Sequence, residues 1–130
     1  MATINWNDSL QHAKELKELE LNVKCNEAIL GRFKATVDGV EYYFSNDGEA
    51  QDNFKLIDKA FDRGWTTEEK WTAYDEFGNV VRVILTKEKF DPVFYQHMLH
   101  IQSNISKFRD VLMPKVKAAT TIQEINEIVW

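Results

Sequence analysis

The chain of 130 residues is 44% hydrophobic, 12% aromatic and 28% charged, with five glycines and two prolines. That length suits a domain with a real hydrophobic core, and the composition excludes collagen-like and Pro/Gly-rich disordered classes. Sixteen Lys and Arg against 21 Asp and Glu leave a net charge of −5, the wrong sign for a nucleic-acid footprint.

Cys25 is the single cysteine, so no intramolecular disulfide is expected. No stretch approaches the roughly 18 apolar residues of a membrane span, and none is expected to insert. The segment from Met1 to Asp8 lacks the basic start and apolar run of a signal peptide, which predicts synthesis in a cytoplasm without export.

From Asp8 to Leu30 the pattern is helical, with Asp8 and Gln11 spaced as a capping box and Gly31 as the stop. Leu16, Leu19, Val23 and Leu30 step by threes and fours with polar Asn26 on the same line, the spacing of a coiled-coil seam. Packing of this helix on its own domain is the alternative. From Phe33 to Phe44 the period becomes two. Asp38-Gly39 predicts a type I′ turn pairing Val37 with Val40, Ala35 with Tyr42 and Phe33 with Phe44.

A second helix is predicted over about 49–63, with Ala50, Phe54, Ile57 and Phe61 inward and Gly64 as its stop. A second hairpin over about 70–86 turns through a three-residue loop, Glu76-Phe77-Gly78. That register puts Trp71, Ala73, Val81, Val83 and Leu85 on one face. Asp91-Pro92 predicts the start of a long helix, since Asp caps well and Pro fits the first turn. Along it Phe94, Met98, Ile101, Ile105, Phe108 and Leu112 form a second seam, which Pro114 ends or kinks. Thr121 and Glu124 open a short final helix.

The order helix, hairpin, helix, hairpin, long helix, short helix predicts an α+β fold with a small antiparallel sheet. The expected division is an N-terminal helix over 1–32, serving oligomerisation or docking, and an α+β domain over 33–130. No βαβ rhythm, glycine-rich phosphate loop or nucleophile constellation is present, so no catalytic residue and no cofactor are expected. Cys25 reads as a buried, inert thiol. His97 and His100, three apart on a helix, supply two ligands where a metal site needs more, so no metal is expected there. Trp6 and Trp130 near the two ends of the chain, and aromatics gathered on the hairpins, fit core packing and protein interfaces.

The order of these features, from about Asn26 to Ile128, resembles a small domain of unknown function found in tailed bacteriophages, often near tail-fibre genes. The resemblance rests on the helix ending in Gly31, the Asp38-Gly39 hairpin closing at Phe44, and the Phe54-to-Phe61 helix. It continues through the strand opening at Trp71, the acidic turn near Asp75, Leu85-Thr86 before a long helix with His97 and His100, and the segment Lys115 to Ile128. This chain departs from the family's alanine-rich helices by carrying Phe94, Tyr95 and Phe108. The resemblance implies a tail structural protein, a fibre or baseplate accessory subunit in the virion. Its partners would be tail or fibre proteins, with homo-oligomerisation expected. A tail-fibre assembly chaperone absent from the particle is the alternative, and a small metal protein or enzyme a further one. The residues expected to form interfaces are Trp6, Leu16, Leu19, Val23, Asn26, Leu30, Phe94, Met98, Ile101, Ile105, Phe108, Leu112 and Trp130.

Overall fold

A computed structural model describes residues 6–130, the side chains of residues 6–8 excepted. The predicted capping box at Asp8 does not form a helix start, because α1 already runs over Trp6–Leu30. The remaining elements are β1 (Phe33–Val37), β2 (Val40–Phe44), α2 (Gly48–Asp62), β3 (Glu68–Tyr74), β4 (Val80–Thr86) and α3 (Lys87–Ser106). A π-helical segment (Lys107–Leu112), α4 (Met113–Ala118) and α5 (Ile122–Asn126) complete the chain. The fold is α+β, with four strands in one antiparallel sheet in the order β1-β2-β3-β4. By compactness the chain separates into one unit of residues up to Ala28 with Gln102–Trp130, and another of Ile29–Ile101. The expected division after residue 32 instead follows the end of α1.

In the Ile29–Ile101 unit the first hairpin has the predicted register, Phe33 opposite Phe44 through Val37 opposite Val40. Asp38 (φ 51°) and Gly39 (φ 77°) are both left-handed, as a type I′ turn requires. Phe33, Ala35, Val37 and Phe44 are buried on the inner face, whereas Val40 beside the turn is half exposed. The second hairpin also has its predicted register, Tyr74 opposite Val80 through Glu68 opposite Thr86. Asp75 N–H donates to the Asn79 carbonyl at 3.0 Å, which closes the three-residue loop with Gly78 at φ 82°. The Asp75 carboxylate accepts from Asn79 and Phe77 N–H, and these bonds hold its pKa below the usual carboxylate value, Asn79 foremost.

Helix α2 starts at Asp47, whose side chain accepts from Ala50 N–H. It stops in a Schellman motif: Trp65 N–H donates to the Ala60 carbonyl, Gly64 N–H to Phe61, and Gly64 sits at φ 69°. Of its predicted inward residues, Phe54 and Phe61 are buried with Ile57 packed against them, whereas Ala50 is only partly buried and borders an open groove.

The long helix begins at Lys87, and Asp91-Pro92 falls in its second turn. Pro92 costs the helix the hydrogen bond to the exposed Glu88 carbonyl, which water can replace. Starting earlier buries Phe90 completely against Phe54 (6.1 Å between ring centres) and Phe61 (5.2 Å). The burial of an aromatic ring outweighs one exposed hydrogen bond.

In the other unit, α1 buries Leu21 and Cys25, and the C-terminal segment buries Phe108, Leu112, Met113, Val116, Ala119 and Ile125. Pro114 does not end the helix. Lacking an N–H, it sits at the start of α4 just after the π-helical segment, where Met113 N–H donates five residues back to Phe108. The widened turn leaves Leu112 and Met113, neighbours in sequence, both buried. Thr121 caps α5 by accepting from Glu124 N–H. The Glu124 carboxylate reaches back to Thr120 N–H, so the capping box closes one residue earlier than predicted.

Candidate functional site

Helix α1 carries two lines of side chains that differ in partner. The inward line is poor in hydrocarbon and rich in tethers. Leu21 and Cys25 are buried, Lys14 Nζ donates to the Lys117 carbonyl at 2.8 Å, and Glu18 lies 3.8 Å from Arg109. The Cys25 thiol donates to the Asn104 carbonyl at 3.5 Å, and burial pushes its pKa up, against the opposing charge of Arg109. This thiol is protonated and enclosed, the opposite of a nucleophile's setting. The other line is the predicted seam. Leu16, Leu19 and Val23 are exposed, Leu19 at 63%, with Asn26 exposed on the same line and Leu30 half exposed beyond it. Glu15, Glu20 and Glu27 flank this stripe, Glu20 paired with Lys17 at 2.7 Å and Glu27 with Lys24 at 3.8 Å.

The second predicted seam does not stay on one face. Phe108 and Leu112 are core residues and are not available to a partner. Phe94 packs at the margin of the sheet core, 5.5 Å from Phe90 and nearly parallel to His97. Ile101 is partly buried, while Met98 and Ile105 are exposed at 45% and 38%. The buried line over α3 runs instead through Phe90, Val93 and His97. It is displaced by one residue, about 100° around the helix, because His97 takes a core position that apolar spacing assigns to a neighbour. Trp130 is half buried, with Lys107 Nζ 4.3 Å from its ring centre. The expected interface role of Trp6 falls on a side chain outside the described ones.

His97 occupies that position because its polar atom has a partner. Its Nδ1 lies 2.6 Å from Asn46 Oδ1, and Asn46 in turn donates from Nδ2 to the Ile29 carbonyl at 2.7 Å. The imidazole stacks on Phe54 at 4.7 Å. Asn46 is fully buried although it lies in the polar turn before α2, and nothing local in the sequence distinguishes it from a surface asparagine. His100 lies against Phe33 instead, 5.8 Å between rings. Among the described residues no group of three or more His, Cys, Asp or Glu is placed to hold a metal ion. No described helix is long and apolar enough to cross a membrane.

No protein family, curated protein or solved structure matches this chain.

Burial moves the His97 pKa below its ordinary value of 6.5, with Lys55 of α2 and His100 of α3 adding like charge. The folded state therefore binds this proton less readily than the unfolded chain. The stabilisation from a neutral His97 is complete above about pH 6.5 and declines as pH falls below it. The expected result is a urea midpoint that drops between pH 7.5 and 5. A His97→Gln variant should drop less over the same range; an equal drop would assign the dependence to other groups.

Proposed function

We propose that this chain is a non-enzymatic interaction subunit that docks through the outward face of α1. The resemblance of its sequence features to a tailed-bacteriophage domain supports a role as a tail-fibre or baseplate accessory protein. The observation that carries docking is the exposed line Leu16, Leu19 and Val23 on a helix already anchored by its other side. Three large aliphatic side chains at seam spacing leave hydrocarbon in water that a second helix would cover.

The charges name the kind of helix. In a parallel pairing of α1 with a second copy, Glu15 of one chain would meet Glu20 of the other, and like charges at those positions oppose association. A helix with Lys or Arg flanking its apolar line complements the face. A heteromeric contact therefore fits the stripe better than self-association.

The test is incorporation into particles. In a phage carrying this gene, the wild-type chain should appear in purified virions in stoichiometric amount by mass spectrometry. A Leu19→Ser, Val23→Ser variant should be lost from them, because buried interface anchors contribute about 2 kcal/mol or more each. Both positions are exposed, so the variant's unfolding free energy in urea should stay within about 0.5 kcal/mol of wild type. Virions lacking the wild-type chain would overturn the subunit reading in favour of an assembly chaperone. Equal incorporation of the variant would overturn the role of the stripe.

A further inference from the structure

Strand β3 is paired along its whole length with β4, but with β2 only at Tyr43 opposite Tyr74. Beyond that point the chain leaves β2 at Phe44 and turns into α2, while β3 runs back a further six residues to Glu68. The direction of each backbone group on β3 follows from the turn. Asp75 and Asn79 form a hydrogen-bonded pair, so antiparallel alternation makes Ala73–Val81, Trp71–Val83 and Glu69–Leu85 the bonded pairs with β4. The N–H and C=O groups of Tyr74, Thr72, Lys70 and Glu68 must then point away from β4. Those of Tyr74 meet Tyr43. Side chains reach two of the other carbonyls: Thr66 Oγ1 donates to Glu68 O at 3.0 Å, and Arg82 Nη2 approaches Lys70 O at 3.4 Å. The amides of Thr72 and Lys70 border an open groove of about 360 Å³.

That groove has two walls. Ala50, Asn53 and Ile57 of α2 line one side, and Glu69, Lys70, Thr72 and Arg82 of the sheet line the other, with Glu69 alternating to the opposite face from Lys70 and Arg82. Arg82 is held there by Thr72 Oγ1. Neighbouring strands lie about 4.8 Å apart, so the place beside β3 is that of one further strand.

We propose that this edge accepts an extended peptide from a partner protein, added antiparallel to β3 in line with β2, with acidic residues alternating with an apolar one. Residues of the peptide opposite Lys70 and Thr72 face the same side of the sheet as Arg82, where a carboxylate meets Lys70 and Arg82. The residue between them faces Trp71 and Ile57 and is apolar. Backbone bonds to the Lys70 and Thr72 amides and the Thr72 carbonyl supply the pairing, and the two cations supply the choice of sequence. This site is separate from the α1 face, and neither depends on the other.

The test uses the full chain, ¹⁵N-labelled, titrated with an end-blocked five-residue peptide of alternating glutamate and valine. The amide signals of Lys70 and Thr72 should shift and their hydrogen exchange should slow. The amides of Lys34 and Thr36, which face outward on the sheet's β1 edge, should stay unchanged. A lysine–valine peptide should bind about tenfold more weakly, and Arg82→Glu should reverse that preference. Thr72→Pro removes an edge N–H without touching the β4 ladder and should abolish the shifts, its folding checked by the retained Ala73 and Val83 signals. No shift at Lys70 and Thr72 with about 10 mM peptide would overturn the proposal. So would shifts centred on Lys34 and Thr36, equal binding of the two peptides, or light scattering showing that a second copy already fills the edge.

Discussion

Phe54→Ala is expected to lower the stability of the fold by about 3–5 kcal/mol, read as a reduced urea midpoint with an unchanged slope. Phe54 is fully buried, and its ring lies within contact of five others: Trp71 at 4.9 Å, His97 at 4.7 Å, Phe33 at 5.7 Å, Phe90 at 6.1 Å and Phe94 at 6.3 Å. Truncation leaves a void walled by rings from β1, β3 and α3. Aromatic side chains on three separate elements cannot all move into it without leaving their own rotamers, so little of the cavity closes. The loss is a large fraction of the 5–15 kcal/mol that holds a typical domain together. Phe77→Ala is the matched control. Phe77 is 81% exposed at the hairpin tip, and its removal should change stability by no more than about 0.5 kcal/mol. Similar effects at the two positions would show that the aromatic cluster is not the centre of the core.

Asn46→Ala is expected to cost about 2–5 kcal/mol although it removes no hydrocarbon from the core. It strands two groups at once, the buried His97 Nδ1 and the part-buried Ile29 carbonyl, worth about 1–3 kcal/mol each at most when left without a partner. Asn46→Asp keeps an acceptor for His97 and loses only the donor to Ile29, so it should destabilise less at acid pH than Asn46→Ala. The new carboxylate also favours a protonated imidazole, so the decline in stability below about pH 6.5 should shrink or reverse. The same decline in Asn46→Asp as in wild type would mean that His97 is not the titrating group. Thermal melts of the two variants at pH 5 and 7.5 decide both points.

These two residues also mark where the sequence ceases to be readable. Both hairpins could be read residue by residue because each is specified locally. A turn with demanding φ values, Asp38-Gly39 or Gly78, sits between strands whose alternation agrees with it. Helix α2 is legible for the same reason, since its cap, its stripe and its glycine stop are all within one stretch of chain. The phases of α1 and α3 are not. On α1 the more hydrophobic line faces water and the inward line contains Lys14 and Glu18, whose partners Lys117 and Arg109 lie about a hundred residues away. On α3 a histidine displaces the apparent seam because an asparagine 51 residues earlier satisfies it. Apolar spacing ranks faces by composition and cannot count a polar group whose partner is remote. For the candidate sites the outcome is divided. The outward seam of α1 was visible as a pattern, whereas the open edge of β3 depends on where β2 stops relative to β3, which no short motif encodes.

The single rung between β2 and β3 has a consequence for how the sheet is assembled. The ladders of the two hairpins join residues separated by short loops, so the chain entropy spent in closing them is small and each closes locally. Tyr43 and Tyr74 are 31 positions apart, and their contact encloses all of α2. The sheet therefore consists of two local folding problems joined by one non-local step, whose single rung is supplemented by the packing of α2 against the sheet.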